Sequence, residues 1–152
     1  MKLPVALVCC VVFAGCATVQ KGEIDDLKPA VRALYQSFRW KDFRGAAELM
    51  VLERREDFVK ARTKMKDDQD LFITNFELED AKLSPDLLTA RAVTRLSWYR
   101  LPSTTEKSAT VGNLFVWRDG IWQLESMDDG PFEELLPAPK PKPTPADADA
   151  GS

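Results

Sequence analysis

The first regular pattern in the body of the chain is helical. Between Glu23 and Trp40 the apolar residues recur every three or four positions, which is the spacing of one face of an amphipathic helix. This stripe consists of Ile24, Leu27, Val31, Leu34 and Phe38. Pro29 lies within the stripe, so the pattern predicts a helix that either begins near Lys28, with proline in its first turn, or kinks at the proline.

Two further helices are predicted before residue 70. Asp42 can cap a short helix whose apolar residues are Ala46, Ala47, Leu49 and Met50. A third helix is predicted from Arg55 to Lys66, with one face formed by Phe58, Val59, Arg62 and Met65. We interpret the charges between 53 and 70 as a solvated face. The acidic residues at 67, 68 and 70 lack the glycine and final glutamate of an EF-hand loop, so no metal site is predicted.

After residue 70 the apolar pattern changes to alternation, which is typical of strands. Four strands are predicted: Leu71 to Leu83, Leu87 to Leu101, Lys107 to Arg118 and Ile121 to Met127. Asp119-Gly120 is a two-residue hairpin turn of the type that tolerates positive φ. Such a turn fixes the register, so Trp117 should lie opposite Trp122 and Phe115 opposite Leu124.

The alternation also assigns side chains to the two faces of the sheet. The apolar face would carry Ala90, Ala92, Thr94, Leu96, Trp98, Val111, Asn113, Phe115 and Trp117. The opposite face would carry Arg91, Val93, Arg95, Ser97, Tyr99, Leu114, Val116, Arg118, Gln123 and Glu125, a mixture suited to water, a protein partner or a second copy of the chain. Helices followed by an antiparallel meander indicate the α+β class, with the helices packed on the apolar face.

A candidate pocket follows from the same assignment. Thr94, Trp98, Asn113, Trp117 and Trp122 would place two hydrogen-bonding groups among three indole rings. They could line a cavity between the helices and the sheet that receives a small apolar ligand. Alternatively, they are part of a packed aromatic core, since a domain of about 100 residues needs large rings to bury.

The start of the chain carries a different signal. Lys2 precedes an apolar run from Leu3 to Phe13, which is too short to span a bilayer but suits a secretory signal. The following Ala14-Gly15-Cys16 resembles the lipobox of bacterial lipoproteins, in which the cysteine is acylated and becomes the new N-terminus. The alternatives are an ordinary cleaved signal and an uncleaved anchor.

Under the lipoprotein interpretation, residues 1–15 are a signal peptide and residues 16–22 a lipidated tether to the membrane. Residues 23–136 then form one domain, and the Pro- and Ala-rich residues 137–152 are a disordered tail or a ligand for a partner. Ala17 lacks the Asp that some bacteria use for inner-membrane retention. The resemblance therefore implies a cell-envelope protein on the periplasmic side of the outer membrane, if the organism has two membranes.

The composition of the chain limits the ligands that it could bind and the reactions that it could catalyse. The chain has 21 basic and 24 acidic residues, and loss of Lys2 with the leader makes the net charge −4, which does not favour nucleic acid. Histidine is absent, which removes the commonest general base and metal ligand. We predict no cofactor, no metal and no catalytic residue.

The order of elements and the last hairpin resemble the nuclear transport factor 2-like fold, a cone-shaped half-barrel shared with SnoaL-type cyclases and ketosteroid isomerases. The hairpin reads Val116-Trp117-Arg118-Asp119-Gly120-Ile121-Trp122-Gln123-Leu124. Such motifs also occur in other α+β meanders, including cystatin-like ones. The resemblance implies three N-terminal helices on a curved four-stranded meander. In the isomerases, a carboxylate base and a Tyr or Asp oxyanion pair lie inside the cone. Only Tyr35 and Tyr99 are available here, the second on the opposite face, so no catalytic role is transferred.

Two functions follow as hypotheses. The first is a non-catalytic binding or scaffolding module, held at the cell envelope by lipid on Cys16. The second is a binder or enzyme for a small apolar ligand, using the cone between the helices and the sheet.

Overall fold

The computed structural model describes residues 21–132 and 134, which form helices followed by one sheet. The helices are α1 (Ile24–Arg39), α2 (Phe43–Glu48), α3 (Leu52–Lys64) and α4 (Asp67–Asp70), and the strands are β1 (Leu71–Leu83), β2 (Thr89–Arg100), β3 (Lys107–Arg118) and β4 (Ile121–Asp128). The strands pair in the order β1-β2-β3-β4, all antiparallel. The predicted α+β class and four-stranded meander are confirmed.

The prediction that the first helix begins near Lys28 is wrong, because α1 runs through Pro29 from Ile24. Contacts with the sheet hold its first turn in place. The Trp122 indole donates to the carbonyl oxygen of Glu23 at 3.0 Å, and the Gly22 N–H donates to Leu87 at 3.1 Å. These tertiary bonds offset the hydrogen bond that proline removes.

The remaining helices differ in detail from the pattern. Asp42 caps α2 as predicted, accepting from the Gly45 N–H at 2.9 Å. α3 begins at Leu52, three residues earlier than predicted, and ends at Lys64. The short α4 was not predicted; it follows Lys66, whose φ of 55° lies in the left-handed region.

The β3–β4 hairpin has the predicted register. Trp117 pairs with Trp122 and Phe115 with Leu124, while Asp119 and Gly120 take the positive φ values of 54° and 78° that such a turn requires. β2 begins at Thr89 and not at Leu87, because Leu87 has a positive φ and belongs to the preceding turn.

The sheet is irregular at three points, where one strand carries an extra residue. Register shifts occur between Ile73 and Asn75, between Leu78 and Asp80, and between Leu114 and Phe115. Such bulges bend the strands that contain them. The resulting inner face packs against α1, which contacts β1 and β4. We call the space between α1 and the inner face the cone.

The predicted inner face is largely correct. Leu96, Val111 and Phe115 are completely buried, and the core also includes α1 and a group of rings from Phe38, Phe43, Phe58 and Phe132. The outer face is less open than predicted. Val116 and Gln123 are only 8% and 5% exposed. The free edge of β4 is also covered, since Leu124 exchanges backbone hydrogen bonds with Leu49 and Val51.

Within residues 21–132, no helix combines the length and apolar character needed to cross a bilayer.

Candidate functional site: the cone interior and a recess at its end

The cone contains a buried polar cluster centred on Asn113. The Tyr35 hydroxyl donates to Asn113 Oδ1 at 2.9 Å. The Asn113 amide nitrogen donates to the carbonyl oxygens of Ala92 and Val111 and to the hydroxyl of Thr94, at 3.1, 3.2 and 3.4 Å respectively. Tyr35, Thr94 and Asn113 are all completely buried. Their polar atoms therefore satisfy one another.

The electrostatics of this cluster favour neutral groups. Burial raises the pKa of the Tyr35 phenol well above its ordinary value, although the hydrogen bond with Asn113 acts in the opposite direction. The other tyrosine, Tyr99, is stacked on Phe72 with ring centroids 4.9 Å apart. Tyr35 is thus the tyrosine inside the cone, and its proton is already donated to Asn113.

The three predicted pocket tryptophans do not meet in one place. Trp117 and Trp122 contact each other edge to face, with ring centroids 5.2 Å apart. The Trp122 ring lies so close to Gly22 that a Cβ there would approach it to 2.2 Å. Trp98 pairs with Lys107, at the other end of β2. Thr94 and Asn113 are joined, but a shared ligand pocket for all five residues stays a prediction.

A second polar cluster is ionic and was not predicted. Arg62 Nη1 lies 2.6 Å from Asp67 Oδ2, and Arg100 Nη1 contacts the other oxygen of Asp67. Arg62 and Asp67 are 1% and 0% exposed. The interpretation of the charges from 53 to 70 as a solvated face is therefore wrong for these two residues.

The surroundings of Arg62 explain why a charge is stable there. Its guanidinium lies over the rings of Phe58 and Phe132, 5.4 and 5.0 Å from their centroids, and donates to the carbonyl oxygen of Pro131 at 3.3 Å. Burial lowers the pKa of Arg62, and the neighbouring Asp67 opposes that change. Its Nε is buried without a hydrogen-bond partner among the described residues.

One sequence signal could have revealed this cluster. Arg62 falls on the same helical stripe as Phe58, so the stripe carries a cation onto the apolar side of α3. A buried cation needs a nearby anion. Asp67, Asp68 and Asp70, which follow the helix, were the candidates.

The ionic cluster borders a recess of about 500 Å³ at the end of the sheet where β2 ends and β3 begins. The apolar part of its wall consists of Met65, Trp98, Leu101, Pro102 and Pro131. Three charged residues also line it: Arg100, Lys107 and Glu134. Trp98, one of the predicted pocket residues, thus lines a cavity.

The charged side chains that line the recess and form the adjoining ionic cluster carry a small excess of positive charge. Arg62, Arg100 and Lys107 are opposed by Asp67 and Glu134, which leaves one positive charge in excess. Arg100 is 34% exposed, and its described partner is Asp67. Its remaining N–H groups can therefore donate to an anion in the recess. The wall of the recess thus combines the cations Arg100 and Lys107 with the indole ring of Trp98.

Comparison with known proteins bears on the fold. No family model and no characterised protein matches the sequence. The structure is similar to a nuclear transport factor 2-like protein of unknown function from Shewanella oneidensis, with a TM-score of 0.54, 12% identity and coverage of 68% of this chain and 94% of that one. The fold is that of the nuclear transport factor 2-like and cystatin-like proteins.

Two other solved structures are also similar to this one. A cystatin-like domain of unknown function from Nostoc punctiforme has a TM-score of 0.54 and 12% identity, over 69% of this chain and 76% of that one. A SEC-C motif protein from Rhodopseudomonas palustris has a TM-score of 0.51 and 16% identity, over 70% of this chain and 90% of that one.

Two further predictions concern the lipidation site and metal binding. Cys16, the predicted lipidation site, lies outside the described residues. In the described part of the chain, no three Cys, Asp or Glu side chains are grouped so as to hold a metal ion.

Proposed function

We propose that this chain is a lipid-anchored, non-catalytic binding module of the cell envelope, and that its recess receives an anionic group attached to an apolar body. The anchor rests on the lipobox-like Ala14-Gly15-Cys16 at the end of an apolar leader. Ala17 supports the periplasmic side of the outer membrane, if the organism has two membranes.

The observation that carries the binding function is the pairing of surplus positive charge with apolar wall in the recess. Arg100 has donors to spare, and Lys107 adds a second cation close by. Trp98 and Pro102 offer apolar surface beside them. A carboxylate on a hydrocarbon body would satisfy both parts of this wall.

The non-catalytic assignment rests on the closed polar cluster in the cone. Tyr35 and Asn113 already use their hydrogen-bonding groups on each other and on Thr94 and the backbone. A general acid or base must be able to reach a substrate proton. These groups are instead suited to holding α1 against the sheet.

Replacement of Cys16 tests the anchor. Each buried methylene contributes about 0.8 kcal/mol to membrane binding, so two or three acyl chains should hold the mature protein at the membrane. Cys16→Ser should release the protein into the soluble fraction of the cell, and the intact mass of the wild type should include the lipid. A wild-type mass without lipid, together with membrane retention of the variant, would contradict the anchor.

Titration with decanoate tests the recess, using the soluble Cys16→Ser chain and calorimetry. Decanoate should bind more tightly than the neutral decanol. Arg100→Gln should weaken decanoate binding by about tenfold or more, since a hydrogen bond to a charged group contributes roughly 1.5–3 kcal/mol. The matched control is Arg91→Gln on the outer face, where Arg91 pairs with Asp128 at 2.8 Å. Equal affinities for decanoate and decanol, or equal losses of decanoate affinity in the two variants, would contradict a recess that binds the negative charge of its ligand.

A second candidate is a small apolar ligand, or an enzyme substrate, within the cone itself. It is favoured by the position of Thr94 and Asn113 on the inner face and by the cone shape of the fold. Native mass spectrometry of the purified protein tests it. A retained ligand that is lost on Asn113→Leu, but kept on Arg100→Gln, would favour the cone over the recess.

A further inference from the structure

We propose that the end of the domain opposite the recess rests on the lipid surface to which Cys16 is anchored, so that the recess points away from the membrane. We call this end the hairpin end and define it by Gly22, Leu52, Leu88, Arg118 and Ile121. This inference rests on the proposed lipid anchor.

The hairpin end presents three large apolar side chains to solvent. Leu52 is 73% exposed, Ile121 47% and Leu88 39%. Single exposed apolar residues are ordinary on protein surfaces, whereas a group of them indicates a contact surface. Whether Leu52, Leu88 and Ile121 form a contact surface therefore depends on whether they lie at the same end of the domain.

Bonds around the β3–β4 hairpin place these three residues at the same end of the sheet. Ile121 pairs directly with Arg118 across the turn. Arg118 also contacts Glu53, the neighbour of Leu52, at 3.2 Å. The carbonyl oxygen of Leu88 accepts from the N–H of residue 117 at 2.8 Å. Three separate parts of the chain thus contribute to one apolar end.

The domain also begins at this end. The Gly22 N–H donates to the carbonyl oxygen of Leu87, next to Leu88. From Cys16 to Gly22 the chain can reach at most about 22 Å, whatever its conformation. β2 has 12 residues, so at about 3.3 Å per residue the recess lies roughly 35 Å from the hairpin end. A lipid on Cys16 therefore holds the hairpin end close to the bilayer.

The charges at this end identify the kind of lipid surface. Lys21 and Arg118 are accompanied by four acidic residues, Glu53, Asp86, Asp119 and Glu125, so this end carries no excess of basic residues. A docking surface that depended on anionic lipid would carry an excess of basic residues. The apolar side chains suit the interface of a neutral bilayer, where they would enter between the headgroups.

Hydrogen exchange on vesicles tests this orientation. The mature chain is held on phosphatidylcholine vesicles, either by its natural lipid or by coupling the Cys16 thiol to a maleimide lipid, and is compared with the soluble Cys16→Ser chain. On vesicles, backbone amides of residues 118–122 should exchange several-fold more slowly. Amides of residues 98–106, at the recess, should be unchanged.

A double variant and a matched control identify the contact. Leu52→Ser with Ile121→Ser should abolish the slower exchange at the hairpin, and both sites are exposed enough for the fold to tolerate them. The matched control is Trp40→Ser, an exposed apolar site outside both the hairpin end and the recess, which should preserve it. Slower exchange at residues 98–106, or no change at either end, would overturn the proposal. Because the maleimide form supplies the anchor, this result is independent of the intact mass that decides whether the cell acylates Cys16.

Discussion

The domain contains two buried polar clusters that are built in opposite ways. Tyr35, Thr94 and Asn113 are neutral and direct their hydrogen bonds to one another and to the backbone. Arg62, Asp67 and Arg100 are charged, carry one positive charge in excess, and reach the surface at Arg100. A cluster whose polar groups are all paired is suited to holding the fold together, whereas one with unused donors at a cavity is suited to binding a ligand.

The two clusters also differ in what a single substitution leaves behind. Loss of a partner in the neutral cluster leaves one uncharged polar atom buried without a hydrogen bond. Loss of Asp67 leaves the buried guanidinium of Arg62 without its anion. Desolvation of an unpaired charge is the larger penalty. Substitutions at matched positions should therefore separate the clusters by the size of their effect on stability.

The largest effect is expected for Asp67→Asn. Arg62 would keep its charge in a site that is 1% exposed, without a carboxylate to balance it. The free energy of unfolding, measured in urea, should fall by about 3–5 kcal/mol. Asp68→Asn is the matched control, because Asp68 is exposed and should cost less than about 0.5 kcal/mol. Similar losses for the two variants would contradict a structural role for the ionic cluster.

A loss of similar size is expected for Trp122→Ala, which tests whether the cone near the hairpin is packed. Trp122 is 2% exposed, contacts the Trp117 ring and donates to Glu23. Truncation of a ring in a packed core costs about 3–5 kcal/mol. Arg118→Ala, on the outer side of the same hairpin, should cost less than about 1 kcal/mol. A small loss at Trp122, accompanied by loss of a bound ligand, would favour a cavity in the cone.

A smaller effect is expected for Tyr35→Phe. The substitution leaves Asn113 Oδ1 buried without its donor, so unfolding free energy should fall by about 1–3 kcal/mol. Tyr99→Phe is the control, since Tyr99 is stacked on Phe72 and lies outside the cone. Equal losses would mean that the Tyr35 hydroxyl does not hold the cluster.

The pH dependence of stability gives a second test of the neutral cluster, through the phenol of Tyr35. The pKa of Tyr35 is raised in the folded protein above its ordinary value of 10.0. Above that pH the unfolded chain loses the proton while the folded chain retains it, so the stabilisation is complete below pH 10 and is lost as the pH rises. The wild type should lose up to about 1.4 kcal/mol per pH unit more than Tyr35→Phe does. Parallel pH curves would contradict a buried, protonated phenol.

The parts of the fold that were predictable depend on local rules. A two-residue turn with positive φ fixes the hairpin register, and strict alternation assigns its faces. The start of α1 was not predictable in this way, because the contacts that support it come from Trp122 and Leu87, far along the chain. Tertiary contacts of this kind override local propensity.

The candidate site was less accessible from sequence for the same reason. Thr94 and Asn113 were assigned to the inner face by alternation, but their partner Tyr35 belongs to a distant helix. The ionic cluster joins Arg62 and Asp67 to Arg100, more than 30 residues away. The position of Arg62 on the apolar stripe of α3 indicated a buried cation that needs an acidic partner nearby. No local pattern indicated Arg100.

The most direct test of this account is to locate bound decanoate on the soluble Cys16→Ser chain by nuclear magnetic resonance. If the ionic cluster serves the binding site and the neutral cluster serves the fold, the indole signal of Trp98 and the backbone amides of Arg100 and Lys107 should shift on titration, while those of Tyr35, Thr94 and Asn113 should not. Shifts concentrated at Thr94 and Asn113, with Arg100 unaffected, would contradict the account and place the ligand in the cone.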